Sequence, residues 1–217
     1  MFLRVVTLVL ASLVIGLPSA SAATCADISN CTFAFNDSDA FGTGLFGTVN
    51  LALNTGKITI TVDLADDYRL IDTGSHESFT FNDTVGGSLV LDNFSNANYT
   101  PGAGNPGTNP PFSIFEHAVV YGGGNNNGVN VLSFVVSRTG GLVFNDVNQL
   151  VELSTGGGNR SAYFAADVIN GAGVTGAVGA NGDPLVSTPE PGSTVLLTSG
   201  VGMLLTLRYR RRRWNLS

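Results

Sequence analysis

Charge is what this sequence has least of. Asp, Glu, Lys and Arg make up 12% of its 217 residues, about half the usual ~25%, and Lys57 is the only lysine. With 43% hydrophobic residues, this excludes an intrinsically disordered chain, which lacks apolar surface and carries dense charge. The net charge of −6 argues against a nucleic-acid partner, because phosphate repels an acidic surface. Cysteine is nearly absent, with Cys25 and Cys31 alone, and histidine is as scarce, at His76 and His117. No Cys-x-x-Cys or His-x-x-His spacing, Gly-x-Ser-x-Gly elbow, phosphate loop or zinc-protease helix occurs. The expectation is a protein with no catalytic activity of its own and no cofactor.

The charges present are unevenly placed. Arg4 lies at one end, and Arg208, Arg210, Arg211, Arg212 and Arg213 crowd the other. Between Ala23 and Thr188 four basic residues face fifteen acids, a net of −11. Such asymmetry marks addressing segments around an acidic body. Residues 1–22 have the anatomy of a secretory signal: Arg4, an apolar stretch from Val5 to Leu17, the helix breaker Pro18, and the small residues Ala20 and Ala22 before a cut at Ala23. An uncleaved anchor is disfavoured, since the apolar run is short for a span of ~20 residues.

The other end carries Pro189, Glu190 and Pro191 in a linker at 184–192, an uncharged apolar run at 193–207, and the basic tail at 208–217. Fifteen helical residues rise about 22 Å, so the run spans a ~30 Å hydrocarbon core only with local thinning and snorkelling of the flanking side chains. The arginines are expected to stay cytoplasmic. From Thr188 to Trp214 this order resembles the PEP-CTERM sorting signal of Gram-negative bacteria. The resemblance implies an exosortase as processing partner. It also implies an inner-membrane single-pass precursor, cut near Pro-Glu-Pro and released to the cell surface. A plain tail anchor is the bland alternative.

The body, 23–183, reads as all-β. Val49, Leu51 and Leu53 alternate with polar or small neighbours, as do Ile58, Ile60, Val62 and Leu64 after Asn54-Thr55-Gly56. That pattern predicts a half-buried antiparallel hairpin with positive-φ turn residues. Further strands are expected at 31–36, 68–72, 77–82, 88–93, 112–121, 129–137 and 163–169, and a short helix at 145–153 with Asp146 near its start. Residues 100–111 read as an exposed loop, and the small-residue stretch 171–188 as the end of the fold and a stalk. Short strands with this punctuation predict an antiparallel β-sandwich or jelly roll.

Two cysteines in an exported chain predict a Cys25–Cys31 disulfide. His76 and His117 with nearby carboxylates are formal metal ligands, and Glu77 with Glu116 a formal glycosidase pair. Structural calcium has two candidate oxygen clusters, Asn36-Asp37-Ser38-Asp39 beside Gly42, and the stretch from Asp63 to Asp67. The glycines and asparagines of 122–128 lack the lysine and helix of a phosphate cradle and read as a β-loop. The leading functional expectation is an exported surface or matrix protein in extracellular polysaccharide. The alternative is a carbohydrate-binding module using Tyr68, Tyr99, Tyr121 and Tyr163 as stacking platforms, with a hydrolase in third place.

Overall fold

The computed structural model describes residues 23–102, 107–123, 128–156 and 159–185. The leader, Pro189-Glu190-Pro191, the run 193–207, the arginine tail and the middle of the 122–128 loop lie outside the described residues. Among the described residues no helix is long and apolar enough to cross a membrane.

The described chain forms β1 (Asn30–Ser38), β2 (Thr43–Asn54), β3 (Lys57–Leu64), β4 (Tyr68–Leu70), β5 (Phe79–Phe81), β6 (Leu89–Asp92), β7 (Tyr99–Pro101), β8 (Gly107–Thr108), β9 (Ile114–Phe115), β10 (His117–Tyr121), β11 (Val131–Arg138), β12 (Phe164–Asn170) and β13 (Thr175–Ala180). Eleven of these strands build one antiparallel sheet in the order β6-β11-β3-β2-β1-β13-β12-β5-β10-β7, with β4 also on β12; β8 and β9 pair separately. The ends of the path, β6 and β7, return to each other's side, so the sheet is nearly closed. The fold is all-β and antiparallel, as the alternation predicts.

The expected hairpin is present, in register from Gly47↔Leu64 to Asn54↔Lys57. Its turn uses Thr55 and Gly56 at φ 47° and 77°, the left-handed pair that matches strand twist. A Cβ on Gly56 would also stand 2.8 Å from that of Val143. Inside the curl of the sheet, Phe33, Phe79, Phe81, Phe134 and Phe164 are essentially fully buried. Phe164 lies between Phe33 and Phe79 at centroid distances of 5.2 and 6.1 Å.

Four expectations change. The stretch 171–188 is no free stalk through its described part: β13 is a central strand between β1 and β12, and Gly176 to Ala180 are buried. Its residues are small because a second layer presses on it. Phe112 and Phe115 lie over Ala162, Ala165 and Ala177 on the outer face of the sheet, and a Cβ on Gly179 would stand 2.5 Å from the Phe112 ring. The described part of 100–111 is likewise structured, contributing the end of β7 and all of β8. Asn109 there is buried, and its amide donates to Glu77 O at 2.9 Å and Thr80 Oγ1 at 3.0 Å.

The predicted strand 112–121 breaks at Glu116, whose N–H turns aside to Asn82 Oδ1 at 2.7 Å. The predicted helix 145–153 is a single 3-10 turn, Val147–Leu150. Asp146 caps it, accepting from Asn148 N at 2.8 Å. Val147 and Leu150 fill the core, but beyond the turn the chain bends back, with Ser154 N bonding Ala162 O at 2.8 Å.

Candidate functional site

Antiparallel register decides which sequence candidates meet. Strand β10 pairs with β5 as His117↔Phe81, Ala118↔Thr80 and Val119↔Phe79. Glu116 therefore lies at the Asn82 end of the pair and Glu77 at the other, five residues of extended chain or ~16 Å away. The structure does not bring Glu77 and Glu116 together as a glycosidase pair, nor His76 and His117 as one metal site. Each end carries its own polar centre.

At the Glu116 end, Asn82 is the clamp. Buried itself, it accepts from Glu116 N and donates to Leu153 O at 2.9 Å, holding the backbones beside Glu116 and Glu152 against the end of β5. Asp83, next along the chain, forms a two-pronged ion pair with Arg138 at 3.0 and 2.6 Å. Arg138 also donates to Gly86 O at 3.1 Å and stacks 4.4 Å from the Phe144 centroid. Glu116 Oε2 accepts from Asp83 N at 3.2 Å and stands 3.9 Å from His117 Nε2.

Burial holds His117 below its ordinary pKa, against the opposing pull of Glu116 and Asp83. It pushes Glu152 up, helped by the same two carboxylates. Beside this cluster is a cleft of about 400 Å³ lined by Gly86, Gly87, Ile114, Phe115, Glu116, His117 and Thr155. Its polar side chains are the Glu116 carboxylate, which accepts, and the His117 imidazole and Thr155 hydroxyl, each of which can donate and accept.

At the other end the centre is Asp167, wholly buried on β12. It sits where the neighbour of β12 changes from β4 to β5: Ile71 N bonds Asp167 O at 3.0 Å and Asp167 N bonds Ser78 O at 3.2 Å. The intervening loop is tied down by Thr73, whose N and Oγ1 donate to Asp167 Oδ2 at 2.8 and 2.6 Å. Thr73 has one hydroxyl proton, so in its 3.1 Å contact with His76 Nδ1 the imidazole is the donor. His76 Nδ1 lies 3.7 Å from Asp167 Oδ1. Burial raises the pKa of Asp167, opposed by the Thr73 hydrogen bonds and by His76. Asp167 Oδ1 and Ser78 Oγ have no hydrogen-bond partner among the described residues.

Asp37 of the first calcium cluster accepts from Arg160 Nη1 at 2.6 Å and Asn181 Nδ2 at 3.0 Å, which occupies both oxygens. Among the described residues no three or more His, Cys, Asp or Glu side chains are grouped to hold a metal. Tyr99, Tyr121 and Tyr163 are buried, a correction to their expected role as sugar platforms. Tyr99 donates to Leu70 O at 2.8 Å, accepts from Val129 N at 3.1 Å, and is pushed up to about 12 by burial. Tyr68 meets Phe41 and Phe46 edge-on at 5.3 and 5.6 Å.

Cys25 and Cys31 form the expected disulfide, with Cα atoms 5.6 Å apart. Asn148 braces it through Cys25 N at 2.7 Å. Sequence reading missed Asn82, Asp83, Arg138, Glu152, Thr73 and Asp167; only Arg138 carried a signal, as one of the few cations of an acidic body.

Comparison of the chain with protein-family models, with curated proteins and with solved structures finds no match.

Proposed function

We propose that this is an exported protein of the cell surface or extracellular polysaccharide matrix, processed by an exosortase and without catalysis of its own. The observation that carries the reading is the order of addresses in the sequence: a cleavable leader ahead of the acidic body, and Pro189-Glu190-Pro191, an apolar run and five arginines behind it. The disulfide suits the oxidising side of the membrane. The nearly closed antiparallel sheet is a jelly-roll-like payload.

The two ends of the described chain meet on one strand. Cys25 is bonded to Cys31 of β1, and Leu185 N donates to Thr32 O of the same strand at 2.7 Å. Both connections to the flanking segments thus leave the domain beside neighbouring residues.

Replacing Pro189, Glu190 and Pro191 by alanine and fractionating the host cells tests the reading. The expected result is a precursor retained in the inner membrane while the wild type reaches the surface; unchanged release of the variant contradicts it.

A further inference from the structure

We propose that the nitrogen freed by the leader cut, that of Ala23, is one the folded domain buries, so that cleavage must precede closure, and that this amino group becomes an internal tether on Tyr163. This rests on the cleavage after Ala22 argued above. Ala23 N donates to Tyr163 Oη at 2.7 Å in a buried hydrogen bond, and Ala23 itself is 7% exposed. Tyr163 is in turn fixed: its N–H bonds Ala180 O at 2.9 Å, and its ring packs 5.5 Å from Phe33. Two further anchors follow at once, Cys25 N on Asn148 Oδ1 and the disulfide to β1. Residues 23–29 form a strap leading into β1, held at Ala23, at Cys25 and through the disulfide to Cys31.

Hydrolysis adds water to the carbonyl carbon of residue 22, breaks the bond to the nitrogen of Ala23, and leaves that nitrogen as an amine that takes up a proton. A peptidase must hold the chain extended on both sides of this bond. It cannot do so while the leaving nitrogen is seated on Tyr163 two residues from a pinned cysteine. The order is therefore cleavage first, then docking of Ala23 and closure of the strap. After docking, the new terminus is shielded from amine chemistry and from aminopeptidases.

Two readouts test this. Full-length precursor is either diluted from urea directly into leader peptidase or first refolded and oxidised. The refolded form is expected to be cut at least tenfold more slowly, and equal rates overturn the proposal. In the mature protein, labelling of the Ala23 α-amine by an amine-reactive reagent is expected to be at least tenfold slower in the native state than in denaturant. Tyr163→Phe should raise the native rate towards the unfolded one. Equal labelling of native and unfolded wild type overturns the tether, and this comparison decides even where the variant does not fold. Mass spectrometry separates the two levels: a mature terminus other than Ala23 defeats the cleavage reading itself, whereas an Ala23 terminus that labels freely defeats only the tether.

Discussion

Arg138 and Asp83 form a bidentate ion pair inside the protein, their side chains 3% and 0% exposed. Breaking such a pair leaves an uncompensated buried charge, at a cost of about 3–5 kcal/mol. Arg138→Met should show a loss of that order in denaturant unfolding. The double variant Arg138→Met/Asp83→Leu should recover most of it, because apolar side chains of similar volume need no partner. A single variant as stable as wild type would show that the pair is not closed in solution.

Glu116 acts on two neighbours in the same direction. Its negative charge raises the pKa of both His117 and Glu152. Glu116→Gln is therefore expected to lower both, leaving His117 neutral further into the acid range and Glu152 ionised earlier. NMR titration of the two side chains reads the shifts; movement of either one upward would be incompatible with the cleft geometry.

Asp167 gives a pH dependence of the less common sign for an acid. Burial raises its folded pKa, so the folded state holds the proton more tightly than the unfolded state, whose value is about 3.9. Its contribution is harmless below that unfolded value, and stability is lost as pH rises from there through the folded pKa. Asp167→Asn keeps an acceptor for Thr73 and removes the charge. The variant should therefore gain on wild type as pH is raised from 4 to 7 in parallel denaturant titrations. A constant difference over that interval would mean that Asp167 is not desolvated.

Phe112 and Gly179 are a matched pair, ring against bare backbone. Phe112→Ala removes the larger part of the outer layer, and about 3–5 kcal/mol is expected from truncating a buried Phe. Gly179→Val should also destabilise, by displacing the ring. In the Phe112→Ala background it should cost less, since the space is then free. Full additivity in a double-mutant cycle would rule out the contact.

The β2–β3 hairpin was legible in the sequence because one face is wet and the other dry, so period-two alternation survives in the residue types. β13 was hidden by the opposite circumstance. With the core on one side and Phe112 on the other, its residues had to be small, and Gly176-Ala177-Val178-Gly179-Ala180 reads like a linker. The 3-10 turn at Val147–Leu150 looks in sequence like part of a longer helix, because Val147 and Leu150 satisfy either spacing. The two polar centres depend on partners 55 and 94 residues apart, Asp83 with Arg138 and Thr73 with Asp167. Such pairs are set by strand order, which local pattern does not encode. Nor does composition say which way a strand faces, so the sequence does not separate surface tyrosines from the buried Tyr99, Tyr121 and Tyr163.

The claim on which everything else depends is that the domain matures beyond the cytoplasmic membrane. Intact-mass measurement and non-reducing peptide mapping of the protein recovered from its host test it most directly. The account predicts a chain that begins at Ala23, has lost the arginine tail, and yields a Cys25–Cys31 linked peptide. A cytosolic chain that still begins at Met1, retains Arg208 to Arg213 and carries two free thiols would contradict it.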